Sequence, residues 1–373
     1  MTVTITRPVR RRPQFHALRV VAVDQLTDDA VRVTFVVPDE LRDEYAFSAG
    51  QHLTVRLAGG EEVRRSYSIC STPSELARDG RLSIGVKQVA GGIFSRYALH
   101  ELAPGATVDV MPPLGHFTTA FDPARTRSYA AVAAGSGITP VLSLVATALA
   151  VEPESTFTLV YGNRYARSVM FAEELADLKD RYRGRLHLIH VLSREPQDAE
   201  LLSGRIDGDK FARLTGRGGV VDAEGVDEWF LCGPYGMVID VRAVLSDLGV
   251  PDSAVHTELF HVADASTPVA PPAPAEDEQP AGGAEVTIML DGRASTFTMR
   301  RDERVLDAAL RVRSELPYAC KGGVCSTCRA KLVSGQVEMV HNYALEPDEV
   351  AAGYVLTCQS VPVTDAVSVD YDA

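Results

Sequence analysis

The chain has 373 residues, of which 46% are hydrophobic and 23% charged, so it can bury sizeable cores and is too long for a single domain. Its 37 basic and 50 acidic side chains leave a net charge of −13, which argues against non-specific nucleic-acid binding and for solubility. The start, MTVTITRPVRRRPQF, lacks the apolar core of a secretory signal, and its cluster Arg7, Arg10, Arg11 and Arg12 reads as a solvated tail.

Residues 15–111 alternate as strands, in FHALRVVAV, AVRVTFVV, HLTVRLA, RLSIGVKQV and ATVDVM, with turn signals AGG, RDG and APG between them. This pattern predicts an antiparallel β-barrel domain. From Tyr129 the texture changes to alternating strands and helices: YAAVAAG, a helix from Pro140, TFTLVYG, a helix near 170–182, RLHLIHVLS, EWFLCGP and a helix near 236–248. That is βαβ texture and predicts an α/β domain on a parallel sheet. The uncharged run Ala130–Val151 imitates a membrane span, but GSGITP in its middle predicts a buried strand, a glycine turn and a buried helix instead. With neither leader nor span, the expectation is a cytoplasmic protein that does not associate with membrane, where clustered cysteines serve metals or redox chemistry rather than disulfides.

The stretch 262–284, VADASTPVAPPAPAEDEQPAGGA, is rich in Pro and Ala and holds almost no large apolar side chains, so it predicts an extended linker. Beyond it, EVTIMLDGRASTFTM predicts a hairpin turning at Asp291-Gly292, and RVLDAALRVR a short helix. The expected divisions are a β-barrel domain at 13–122, an α/β domain at 123–261, a linker at 262–283 and an α+β module at 284–373.

In that last module, LPYACKGGVCSTCRAKL places Cys320, Cys325 and Cys328 within nine positions, and Cys358 follows in YVLTCQS. The spacing C-x4-C-x2-C…C is the plant-type ligand set of a [2Fe–2S] cluster. Two bridged irons need two thiolates each; one tight loop can deliver three, and a separate element must bring the fourth. Gly322 and Gly323 permit the backbone to turn its N–H groups toward sulfur. Structural zinc is the competing reading. It usually shows two C-x2-C pairs or a Cys/His mixture, and here there is one such pair and two single cysteines.

Three further stretches carry cofactor chemistry. In RRSYSICSTP an arginine (Arg65) can neutralise a pyrophosphate, Tyr67 can stack on a flat ring, and Ser68 can hydrogen-bond a ring nitrogen. Gly91 and Gly92 lead into a short helix containing Ser95, an arrangement suited to phosphate. In AAGSGITP, Gly135 and Gly137 let backbone approach a pyrophosphate and Thr139-Pro140 open a helix, although G-x-G-x-x-G is absent. Taken singly, each also fits an ordinary strand end or turn.

In this order the motifs resemble the ferredoxin–NADP reductase superfamily, and residues 284–373 resemble plant-type ferredoxins. The resemblance implies FAD on Arg65, Tyr67, Ser68, Gly91, Gly92 and Ser95, a nicotinamide nucleotide on Gly135, Gly137 and Thr139, and a β-grasp fold for the last module. It further implies that FLCGP puts Cys232 near the nicotinamide with Gly233-Pro234 as the turn. In HTELF it implies that Glu258 relays a proton to the flavin and that Phe260 covers its ring. Cys232 as a buried small hydrophobe is the plainer alternative, and Cys70 reads as core. Arg164 and Arg167 stand at the end of one strand where a 2′-phosphate can be met, and Arg194 ends the next, which favours NADPH over NADH; as plain surface arginines they would favour neither.

Nearly the whole chain resembles the reductase components of bacterial multicomponent oxygenases, and YGNR and LSREPQDAELLSGRID look nearest to the phenylacetyl-CoA epoxidase branch. That implies a di-iron oxygenase as electron acceptor. Reductases of other aromatic or alkane oxygenases, an iron–sulfur redox sensor and a zinc-stabilised adaptor remain the alternatives.

Overall fold

The computed structural model describes residues 14–57, 63–216, 218–260, 283–345 and 347–373. Its described residues divide into two compact units, one spanning 16–260 and the other 283–373. The expected linker, except Gly283, and the N-terminal arginines fall outside the described residues.

The first unit opens with six strands: β1 (His16–Thr27), β2 (Ala30–Val36), β3 (His52–Leu57), β4 (Val63–Ser68), β5 (Arg81–Lys87) and β6 (Thr107–Leu114). They pair antiparallel in the order β4-β3-β6-β1-β2-β5, and an Ile69–Ile84 bridge brings the two ends of the sheet together. Alternate side chains such as Leu18, Val20, Val33, Phe35, Leu53 and Val55 fill the core, as the period-two pattern requires. Two helices accompany the sheet, α1 (Pro73–Asp79) and α2 (Ile93–His100). The strand pattern does not anticipate α1, but its end signals are local and strong. Thr72 and Glu75 form a reciprocal capping box, Pro73 starts the helix, and Gly80 ends it at φ 64°.

The same unit continues with β7 (Ser128–Ala134), α3 (Ile138–Val151), β8 (Thr156–Asn163), α4 (Ala172–Arg181), β9 (Leu186–Leu192), α5 (Gly208–Thr215), β10 (Glu228–Gly233), α6 (Tyr235–Asp247) and β11 (Val255–Leu259). The strands are all parallel in the order β11-β10-β7-β8-β9. The apolar run at 130–151 is indeed a buried strand, a glycine turn and a buried helix, and among the described residues no helix is long and apolar enough to cross a membrane. Helix α5, which the expected strand–helix order does not include, buries Phe211 and Leu214 on one face, and Asp207 caps it by accepting from Lys210 N–H at 2.9 Å.

One apolar core joins the barrel to the parallel sheet, because Ala49, Cys70 and Phe117 pack with Leu144, Phe157 and Phe230. Polar ties span the same seam. Ser143 Oγ donates to the Ser71 carbonyl at 2.7 Å, and Arg32 pairs with Glu174 at 2.7 Å.

The second unit contains β12 (Ala284–Leu290), β13 (Arg293–Met299), α7 (Val305–Val312), β14 (Arg329–Ser334), β15 (Val337–Met339), α8 (Pro347–Ala351), β16 (Tyr354–Leu356), β17 (Ser360–Pro362) and β18 (Ala366–Asp370). Its main sheet runs β13-β12-β18-β14-β16, with β12 and β18 parallel and the other pairs antiparallel. The hairpin turns at Asp291 (φ 54°) and Gly292 (φ 68°), both left-handed, as a two-residue turn between twisted strands requires. Helix α7 packs Val305, Leu306, Ala308 and Ala309 onto this sheet.

Candidate functional site

The flavin-type residues cluster at the end of β4. Ser68 is buried, and its Oγ donates to Glu258 Oε2 at 3.0 Å, across 190 positions of chain. Strand pairing explains the meeting. His52 sits opposite Ser68 in β3–β4, and Glu258 sits opposite Cys232 in β10–β11. His52, which no motif marks, has Nδ1 4.0 Å from Glu258 Oε1. Its ring lies against Gly115, whose left-handed φ of 119° leaves a place where a β-carbon would stand 2.9 Å from Nδ1.

Tyr67 packs on Phe94 of α2 with ring centroids 5.2 Å apart, and burial pushes its hydroxyl above the ordinary tyrosine value against the opposing pull of Arg65. Arg65 is exposed; it donates to the Arg64 carbonyl at 2.7 Å and pairs with no carboxylate among the described residues. The hydroxyls of Thr54 and Ser66, paired across β3 and β4, are buried with no hydrogen-bond partner among the described residues. An exposed guanidinium with no carboxylate partner among the described residues, a half-buried tyrosine ring and two unsatisfied hydroxyls on neighbouring strands fit a large polar cofactor. The Gly91–Gly92 turn leads directly into α2, with Gly91 at φ 72°. The Ser95 hydroxyl is engaged within that turn, accepting from Val89 N–H at 3.2 Å and donating to the Gly92 carbonyl at 3.3 Å.

The nucleotide-type residues gather at the C-terminal ends of the parallel strands, the usual place for ligands on such sheets. Gly135–Gly137 form a 3-10 turn between β7 and α3. A β-carbon on Gly137 would lie 2.1 Å from the Cys232 carbonyl oxygen, so only glycine lets this turn cross the end of β10. Thr139 is buried and its hydroxyl donates to the Ser136 carbonyl at 2.8 Å, which braces the turn. Cys232 is fully buried, and burial together with the charge of Glu258 pushes its thiol well up. Gly233 ends β10 and Pro234 precedes α6. Phe260, just past β11, is 36% exposed.

Arg164 and Arg194 are both exposed and are held side by side, since Arg194 N–H donates to the Arg164 carbonyl at 2.9 Å. The stretch also holds Arg167, stacked 4.9 Å over Tyr165. An acidic residue, Glu195, stands next to Arg194 in the chain; its carboxylate accepts from Ala166 N–H at 2.8 Å and so is committed to the turn.

In the second unit the four cysteines meet as two pairs. The Cys320 and Cys325 thiols hydrogen-bond one another, as do Cys328 and Cys358. The first pair is partly exposed and the second is buried. Among the described residues no three His, Cys, Asp or Glu side chains are arranged to hold one ion. Two pairs side by side are the arrangement two bridged irons require, and the donor set fits a [2Fe–2S] cluster. Backbone donors already face sulfur: Gly322 N–H reaches Cys320 Sγ at 3.3 Å, and Gly323 N–H bonds Cys358. The Cys328 thiol is pushed up by its bond to Cys358 and by burial; Cys358, receiving that bond and two more, is held below the ordinary thiol value. Lys321 (φ 53°), Gly323 (φ 77°) and Ser326 (φ 54°) are left-handed, so the loop curls tightly enough to bring three sulfurs together.

Known proteins share this domain order. Residues 17–119 match the oxidoreductase FAD-binding domain, residues 131–243 the oxidoreductase NAD-binding domain, and residues 288–363 the 2Fe-2S iron-sulfur cluster binding domain. The chain is 47% identical over 361 residues to a subunit of the 1,2-phenylacetyl-CoA epoxidase of Escherichia coli (strain K12), covering 96% of this chain and 98% of that one. It is 35% identical over 358 residues to the ferredoxin reductase component of 3-ketosteroid-9-alpha-monooxygenase from Rhodococcus rhodochrous, covering 95% and 96%. The fold also matches phthalate dioxygenase reductase, with a TM-score of 0.56 at 23% identity over 95% of this chain and 98% of that one. An FAD-binding barrel, an NAD-binding parallel sheet and a C-terminal [2Fe–2S] module, in this order and with these relatives, place the chain in the family of ferredoxin–NADP reductase-type reductase components of multicomponent oxygenases.

Proposed function

We propose that this chain passes electrons from NADPH through FAD and a [2Fe–2S] cluster to the di-iron oxygenase of a phenylacetyl-CoA epoxidase, in the cytoplasm. The observation that carries the electron-transfer reading is the two-plus-two pairing of Cys320/Cys325 and Cys328/Cys358. FAD, when bound, accepts a hydride and gives up its electrons singly, which joins a two-electron nicotinamide to a one-electron cluster.

The chain's own residues take the following parts in this reading. Arg65 and the Gly91–Gly92 turn with Ser95 hold the FAD pyrophosphate, and Tyr67 and Phe260 bracket the ring. Ser68 and Glu258, joined by their 3.0 Å hydrogen bond, hold and move the proton at the reacting edge. Cys232, Gly233 and Pro234 shape the floor for the nicotinamide, while Gly135, Gly137 and Thr139 receive its pyrophosphate. Arg164 and Arg194 meet the 2′-phosphate, and Glu195, held on Ala166 N–H, is engaged with the turn and not with a ribose hydroxyl, which favours NADPH over NADH. We set the domain limits at 13–122, 123–261 and 284–373, with 262–283 as the linker.

The di-iron epoxidase as acceptor rests on the 47% identical relative. The test is reconstitution of the purified chain with NADPH, phenylacetyl-CoA and the oxygenase subunits of the epoxidase. The expected result is epoxide formed in proportion to NADPH consumed, with NADH a poorer donor. Rapid reduction of artificial acceptors with no epoxide formed would assign the chain to another oxygenase.

A further inference from the structure

Gln359 follows the fourth cysteine and is buried, 1% exposed. Its amide orientation is set by chemistry. The Lys321 carbonyl can only accept, and Gln359 Nε2 lies 2.8 Å from it, so the NH2 group faces that oxygen. The same nitrogen lies 3.6 Å from Cys358 Sγ. The price of this orientation is visible, because Gln359 Oε1 is buried with no partner among the described residues. A buried amide oxygen left unmatched destabilises the fold, and an apolar side chain here would avoid that cost.

The backbone is shaped around this side chain. Gly323 has φ 77°, and a β-carbon there would stand 2.9 Å from Gln359 Cγ. Gln359 thereby ties the loop carrying Cys320, Cys325 and Cys328 to the strand region carrying Cys358. Donors to cluster sulfurs stabilise the more negative, reduced state and so raise the reduction potential.

We propose that Gln359 is a positioning residue for the cluster, clamping the Lys321 carbonyl and donating its second N–H to Cys358 Sγ, and that this donation raises the cluster's reduction potential. The inference rests on the reading of the four cysteines as cluster ligands.

The test uses the full chain with its cofactors, labelled with 15N at glutamine side chains. Pulsed EPR of the reduced wild type should show a 15N coupling to the cluster spin, and that coupling should vanish in Gln359→Leu. Redox titration should place the Gln359→Leu cluster at a lower potential than wild type, and Gly323→Ala, which displaces Gln359, should shift it the same way. A wild-type cluster signal with no 15N coupling overturns the proposal whether or not either variant assembles a cluster. So does a cluster-bearing Gln359→Leu with an unchanged potential. Wild type with no cluster signal at all would instead overturn the reading of the cysteines.

Discussion

Ser68 Oγ donates to Glu258 Oε2 at 3.0 Å, joining the end of the barrel's β4 to the last strand of the parallel sheet. With His52 4.0 Å from the other carboxylate oxygen, the contact makes a partly buried polar junction between two domains. If this pair handles the proton at the flavin edge, Ser68→Ala and Glu258→Gln should each slow flavin reduction by NADPH by about 10²-fold or more, the usual scale of general acid–base assistance. Stopped-flow bleaching of the flavin checks this. Wild-type rates in variants that retain full FAD content would remove the pair from the chemistry.

Gly135 and Gly137 should respond differently to alanine. Gly135 has φ 54° but open space around its Cα, whereas a β-carbon on Gly137 would be driven into the Cys232 carbonyl at 2.1 Å. Gly137→Ala should therefore cost about 3 kcal/mol or more and weaken nucleotide binding, and Gly135→Ala should cost less. Chemical denaturation and NADPH titration measure both; equal costs would contradict the close approach.

Burial pushes the Cys70 thiol up to about 12, against a smaller opposing pull from Arg32, and pushes Cys232 well up too. At pH 8 a thiol of pKa about 12 is ionised in about one molecule in 10⁴, and the thiolate is the reactive form. Neither cysteine should take up iodoacetamide in the native protein, and both should do so after unfolding. Peptide mass spectrometry reads this directly, and native labelling of Cys70 at the unfolded rate would refute its place in the core.

Burial lowers His190, whose ring lies 5.9 Å from that of Tyr161, below the ordinary value of 6.5. The sign follows from linkage: the unfolded chain binds this proton more readily. The contribution is complete above about 6.5 and is lost as pH falls through the depressed folded value. The melting temperature should drop across that window in wild type and drop less in His190→Phe. Parallel pH profiles for the two proteins would contradict this.

Much of the fold and of the cluster site is legible in the sequence because it is local. Asp291-Gly292 fixes a hairpin by its own backbone preferences, and the spacing of Cys320, Cys325 and Cys328 encodes one loop. The glycine turn at 135–137 can likewise be read between strand and helix. Contacts made by register across strands cannot be read this way. His52 reaches Glu258 only because β3 pairs with β4 and β11 lies beside β10 in the folded unit. Gln359 stands beside Cys358 in YVLTCQS, yet nothing in its spacing shows an amide facing sulfur. Helix α1 is legible in principle, through Thr72, Pro73, Glu75 and Gly80, but seven residues are too few for a helical period to stand out.

The two units should also be chemically separable. Cys325→Ser should abolish cluster absorption while NADPH-dependent dye reduction by the flavin unit continues at near the wild-type rate. Loss of both together would contradict independent function.

The central claim is that Cys320, Cys325, Cys328 and Cys358 hold a [2Fe–2S] cluster fed by the flavin. Anaerobic purification followed by iron and acid-labile sulfide analysis, with EPR after NADPH addition, tests it most directly. The account predicts two irons and two sulfides per chain and a one-electron cluster signal that appears on reduction by NADPH. A protein holding one zinc, or iron that NADPH leaves oxidised, would contradict it.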